Sequence, residues 1–152
     1  PPGTPPASYE ALEAYVPYLV NRLASLGQMA QNRKLSAADV SNVVLRTLSI
    51  LHIENGLTIN EITARAFADQ STASRAVDSM GEAGLIERRT PSTDMRRREI
   101  VLTEAGRTLL FQCWPLMEDY YATLSRGIDS EDVAVCQRVL SRMIDNLRRE
   151  IM

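Results

Sequence analysis

The stretch from Thr58 to Gly106 limits the possible folds of this chain more than any other. It opens with Thr58-Ile59-Asn60-Glu61. At this spacing a hydroxyl and a carboxylate cap each other's backbone N–H groups and start a helix. Asp69 and Ser71 can each cap a further helix that stops at Gly84. Its apolar positions Ala73, Val77 and Met80 are three and four apart and share one face. The opposite face carries Ser71, Arg75, Asp78 and Glu82, flanked by Thr72 and Ser74. Residues 85–89 and 99–103 then read as strands, and residues 90–95 supply turn formers between them. Two capped helices followed by a hairpin imply a mainly α winged helix-turn-helix with a small β-hairpin wing. Such a helix fits the major groove of duplex DNA, and a guanidinium on a hairpin can follow phosphates or enter the minor groove.

At 152 residues the chain is long enough for one ordinary domain with a real core. Its net charge of −2 means that any nucleic-acid footprint must be local. One exists between residues 88 and 98, where Arg88, Arg89, Arg96, Arg97 and Arg98 face only Asp94, a local net of +4. Cys113 and Cys136 are far apart and describe neither a disulfide framework nor a zinc site. The single histidine excludes an HExxH metal site. No GxGxxG or P-loop pattern occurs, and no cysteine–histidine pair suggests a nucleophile with its base. No catalysis, metal or cofactor is expected. With no membrane-length apolar run and no leader, a reducing cytoplasm is the expected setting. The principal rival reading is a helical protein-interaction module without DNA binding.

The flanks read as helices. Leu12, Val16, Leu19, Leu23, Leu26 and Ala30 form a helical seam in which Pro17 separates a short helix from a longer one. Ser36-Ala37-Ala38-Asp39 resembles a cap for the next helix, with Val40, Val43, Val44, Leu48 and Leu51 inward and a stop at Asn55-Gly56. The capping-box helix that follows carries Ile62, Ala66 and Phe67. After the wing, Thr103 caps a long helix bearing Leu109, Leu110, Trp114, Met117, Tyr121 and Leu124. Acids at 129–132 open a last helix with Val133, Cys136, Leu140, Met143, Ile144, Leu147 and Ile151 on one face. The expected division is a disordered lead-in at 1–8, an N-terminal dimerisation part at 9–35, a winged helix-turn-helix at 36–104 and C-terminal dimerisation helices at 105–152. The outer helices hold more apolar surface than one small core covers, so a two-fold homodimer is expected, with Leu19, Leu23, Leu140 and Leu147 as candidate contacts.

Four motifs occur in order: Ser71-Thr72-x-Ser74-Arg75, then residues 84–89 (Gly-Leu-Ile-Glu-Arg-Arg), Asp94-x-Arg96, and Leu102-Thr103-x-Ala105-Gly106. With their spacing, gap-free over about residues 45–110, the chain resembles the MarR (multiple antibiotic resistance regulator) family of bacterial transcription regulators. Val16-Pro17-Tyr18-Leu19 and Asn21-Arg22-Leu23 are similar to the first helix of some members. Met95 departs from the pattern, standing where arginine is common. The resemblance implies a homodimer on a pseudo-palindromic operator, repression relieved by small aromatic or phenolic anions, and Arg96 as the wing-tip arginine in the minor groove, with Asp94 as its organiser.

The chemistry of single residues extends this. Ser71, Thr72 and Ser74 offer hydroxyls to phosphates or bases and let the helix approach closely. Arg75 can fork onto a guanine, and Gln70 is a candidate adenine reader. Arg88 and Arg98 suit the phosphate backbone, and Arg97 a contact felt equally by all sequences. For an aromatic acid effector, Tyr18 and Arg22 lie one turn apart, with Arg46 and His52 on the next helix. Redox sensing through Cys113 or Cys136 is the alternative, and packing is the favoured role for both.

Overall fold

The computed structural model describes residues 3–66 and 69–151. Pro1 and Pro2 of the expected lead-in, and Phe67 of the expected helix face, lie outside that range. Ser8 caps a short α1 (Tyr9–Glu13) by accepting from the Ala11 N–H. The main N-terminal helix α2 (Val16–Leu35) takes Pro17 in its first turn, where the missing N–H costs no helical bond. The expected cap at residues 36–39 is corrected. Ser36–Ala38 forms a 3-10 turn, and Asp39 takes a left-handed conformation (φ 53°) that redirects the chain. Ser41 is the true cap of α3 (Asn42–Ile53), accepting from the Val44 N–H at 3.2 Å.

The helix-turn-helix is α4 (Ile59–Ala66) and α5 (Gln70–Glu82). The capping box opens α4 as its spacing predicts: the Thr58 N–H donates to Glu61 Oε2 at 2.8 Å, and the Glu61 N–H to Thr58 Oγ1 at 3.3 Å. The end of α5 is a glycine stop. Gly84 has φ +72°, the Leu85 N–H reaches back to the Met80 carbonyl and the Gly84 N–H to that of Gly81. The chain then enters β1 (Ile86–Arg89), antiparallel to β2 (Glu99–Leu102) in the register Ile86↔Leu102 to Arg89↔Glu99. Both strands fall within one residue of their expected bounds. An isolated bridge between Leu57 and Ile100 ties the wing to the segment before α4. The long α6 (Glu104–Leu124) and α7 (Ser130–Ile151) complete the chain. Thr103 Oγ1 accepts from the Gly106 N–H at the start of α6. A Cβ on Gly106 would lie 2.2 Å from the Leu85 carbonyl oxygen, so only glycine lets α6 sit this close to the wing.

The chain divides after Met117 into two compact units. The first holds the core, in which Leu35, Leu48, Leu51, Ile62, Val77, Met80 and Cys113 are fully buried. Each large aliphatic among them contributes roughly 1.5–3 kcal/mol. The second unit has α7 with no buried residue. No helix among the described residues is long and apolar enough to cross a membrane.

Candidate nucleic-acid interface and effector groove

The N-terminus of α5 is organised by Asp69, which accepts from the Thr72 N–H at 2.9 Å and the Thr72 hydroxyl at 2.6 Å. These two bonds, the hydroxyl first, hold the Asp69 carboxyl below the usual aspartate range. Asp69 is the cap, and Ser71 is already the second helical residue. Thr72 has therefore committed its O–H, whereas the Ser71 and Ser74 hydroxyls make no hydrogen bond among the described residues. Gln70 donates to Asn60 Oδ1 at 3.2 Å, joining the start of α5 to α4. Ala73, Val77 and Met80 face the core, which turns Gln70, Ser71 and Arg75 outward. Arg75 is exposed; its charge acts on the Asp69 carboxylate, but it makes no ion pair or side-chain hydrogen bond among the described residues. Its expected rival partner Asp78 pairs with Arg88 instead.

The wing sorts its arginines into two kinds. Arg96 is exposed, and its guanidinium has no hydrogen bond or ion pair among the described residues. Asp94 does organise it, but through the main chain: Asp94 Oδ1 accepts the Arg96 backbone N–H at 2.9 Å and so fixes the turn, not the side chain. Arg98 donates to Thr90 Oγ1 and the Met95 carbonyl, closing the loop across its base. Arg89 bonds its cross-strand partner Glu99 at 3.0 Å.

Arg97 lies apart from the others and is only 33% exposed. It donates to Glu61 Oε2 at 2.8 Å, to Glu99 Oε1 at 3.1 Å and to the Gly56 carbonyl at 3.2 Å. The Thr58 N–H, with Arg97 next, lowers the Glu61 pKa, and Arg89 followed by Arg97 lowers that of Glu99. Arg97 therefore does not present the open cation that its place in the run suggests.

The four candidate effector residues fall into three networks. Tyr18 and Arg22 do meet, with Arg22 donating to Tyr18 Oη at 3.4 Å and to Glu13 at 3.1 Å. These two partners, Tyr18 first, raise the Arg22 pKa. Arg46 donates to the Ala66 carbonyl at the end of α4 and to Asn42 Oδ1. His52 lines a groove. That groove, about 320 Å³, lies between α3 and α6 and is bounded by Ser49, His52, Ile53, Leu110, Phe111 and Trp114. At its edge Arg107 donates to His52 Nδ1 at 3.0 Å, and Phe111 meets the His52 ring edge-on at 5.3 Å. Sequence spacing gives Trp114 an apolar face without a ligand role, and gives Arg107 and Phe111 no role at all. The available signal was Arg107, Phe111 and Trp114 at spacings of four and three, a cation and two aromatics on one helical face.

The cysteines differ. Cys113 is buried, and burial pushes its thiol pKa up, which disfavours the reactive thiolate. Cys136 is exposed on α7. Leu19, Leu23, Leu140 and Leu147 are all exposed.

A capped recognition helix with an open polar face, followed by a braced arginine-tipped hairpin, defines a winged helix-turn-helix DNA-binding protein. The sequence profile of the MarR family matches residues 38–97. A MarR-family transcriptional regulator from Silicibacter pomeroyi DSS superposes with a TM-score of 0.85 at 30% identity, over 95% of this chain and 97% of that one. The chain belongs to the MarR family of transcriptional regulators. The HTH-type transcriptional regulator TcaR of Staphylococcus aureus (strain Newman) is 29% identical over 131 residues, 85% of this chain and 83% of TcaR. The S. aureus MepR–DNA complex superposes with a TM-score of 0.77 at 25% identity, covering 89% of this chain and 98% of MepR. The family is dimeric.

Proposed function

We propose that two copies of this chain bind a pseudo-palindromic operator, with α5 in the major groove and Arg96 in the adjacent minor groove, and repress transcription until an aromatic acid binds. The observation that carries the DNA reading is the sorting of the arginines. Arg75 on α5 and Arg96 on the wing make no ion pair or side-chain hydrogen bond among the described residues, while their neighbours are tied down. In this reading Arg75 forks onto a base, Ser71 and Ser74 touch phosphate or base edges, and Gln70 and Thr72 support them, while Arg88 and Arg98 lie beside the backbone with their guanidinium groups held by Asp78 and by Thr90 and the Met95 carbonyl. Arg75→Ala then loses roughly 1–3 kcal/mol of discrimination between operator and random duplex. Fluorescence anisotropy on both DNAs measures this, and equal losses on the two would remove Arg75 as the reader.

Support for the dimer comes from exposed apolar rows in each unit: Val16, Leu19, Leu23 and Leu26 on α2, and Leu140, Met143, Ile144 and Leu147 on α7. Support for the effector comes from the groove, whose aromatic lining and Arg107 edge suit a ring with a carboxylate. Within it His52 keeps the ligand role expected of it, and Arg107 takes the part assigned above to Arg22 and Arg46. Trp114 is the chain's one tryptophan, so quenching of its emission by aromatic acids reports occupancy directly. A panel that releases operator DNA without changing that emission would move the site elsewhere. The family is one of regulators, and nothing in this reading requires catalysis, a metal or a cofactor.

A further inference from the structure

Two neighbouring wing arginines have different surroundings, and the difference assigns Arg97 a role that its charge alone does not suggest. Its guanidinium bridges three segments. Glu99 belongs to β2 and Gly56 to the α3–α4 connection, while Glu61 lies in the first turn of α4. Each partner is itself tied. Glu61 caps the Thr58 N–H, and Glu99 holds Arg89 across the hairpin. The Gly56 N–H donates to the Ile100 carbonyl, and the Ile100 N–H to that of Leu57. The Gly56 site also restricts what fits: Gly56 has φ +81°, and a Cβ there would press on Glu99 Oε2 at 3.2 Å.

We propose that Arg97 is a positioning residue that locks the base of the wing to the N-terminus of α4, and so sets where Arg96 meets DNA. Resting on the DNA-binding reading above, this makes Glu61 and Arg97 partners in operator affinity although neither touches DNA. The guanidinium fork is essential to the lock, because it serves two carboxylates and a carbonyl in one plane. A lysine is one point charge and cannot.

The alternatives predict opposite signs. If Arg97 touched phosphate, removing the carboxylate beside it would strengthen binding, because a repulsive charge is lost. A brace predicts that the same change weakens binding. The experiment measures affinity for a labelled duplex, selected by the wild-type protein from a random pool and used as the operator, across a salt series for wild type, R97Q, R97K, E61Q, E61Q/R97Q and R96Q. The expected results are losses of roughly tenfold for R97Q and E61Q, the order for a lost charged hydrogen-bond clamp, with a double variant no worse than either single. R97K fails to rescue. The slope of log K against log salt stays at the wild-type value in these variants and becomes shallower by about 0.9 in R96Q. A shallower slope in R97Q, tighter binding by E61Q, or additive losses would overturn the brace.

Amide exchange in the free protein provides a readout independent of DNA. The Ile100 N–H should exchange faster in R97Q and E61Q while the Leu45 N–H, in α3, is unchanged. Protected Ile100 in both variants would also overturn the lock. Absence of operator preference in wild type, with Ile100 still released by the variants, would count against the DNA reading and leave the brace standing.

Discussion

Helices α3 and α7 carry the same kind of pattern, apolar residues three and four apart, and meet opposite circumstances. α3 buries Leu45, Leu48 and Leu51 together with Asn42 and Thr47. α7 buries nothing and leaves Val135, Leu140, Met143, Ile144, Leu147 and Ile151 exposed. Periodicity specifies which side of a helix is apolar. It does not specify whether the same chain supplies the cover. In our reading α3 is completed by intramolecular contacts with Ile62, Val77 and Met80, and α7 by a second copy of the protein.

Breaking the α7 side should have the largest consequence for function. Leu140→Asp with Leu147→Asp should give monomers by sedimentation equilibrium and weaken operator binding by roughly 10²- to 10⁴-fold, because two half-sites no longer act together. Dimers of undiminished affinity would show that another surface joins the copies. On the α3 side, Leu48→Ala should cost about 2–5 kcal/mol of stability at every protein concentration, measured by urea unfolding. A cost that grew on dilution would mean that α3 also depends on the partner.

A smaller effect sharpens the contrast between open and occupied arginines. Asp78 on α5 holds Arg88 of the wing. Asp78→Asn should free that guanidinium, tighten operator and random duplex alike by a few-fold, and steepen the salt slope by about 0.9. No change in slope would show that Arg88 does not reach phosphate.

The smallest effect is on pH dependence. The pKa values of Asp69, Glu61 and Glu99 are all lowered in the folded protein by their hydrogen-bond donors. A carboxylate depressed on folding stabilises the native state above its unfolded pKa and loses that contribution as pH falls through the folded value. Stability should therefore hold through neutral pH and decline below the ordinary carboxylate range near 4.5. Glu61→Gln should flatten that acid limb in thermal melts. An acid limb identical to wild type would mean that Glu61 gains nothing from its partners.

Much of the fold was legible because its signals are local. The Thr58–Glu61 box, Pro17 in a first turn and the glycine stop at Gly84 each act within a few residues, and each appears where its spacing places it. The start of α3 is ambiguous in the sequence for the same reason. Both Ser36 and Ser41 are plausible caps, and only the left-handed turn at Asp39 selects the second. The candidate DNA face was legible from α5's apolar stripe, since burying Ala73, Val77 and Met80 turns Arg75 outward. The state of Arg97 was not legible. Its partner Glu61 is 36 residues away, and a run of arginines looks uniform until the fold brings one of them to a carboxylate. The groove is not legible in the sequence because it combines His52 of α3 with Phe111 and Trp114 of α6, which no local spacing connects.

Selection of bound sequences from a random duplex pool by the purified protein tests the central claim most directly. Two symmetric copies of α5 and the wing should enrich an inverted repeat whose half-site centres lie about one helical turn, roughly 10 bp, apart, occupied by two chains. Enrichment of a single unrepeated motif, or recovery of the pool without any preferred sequence, would contradict it.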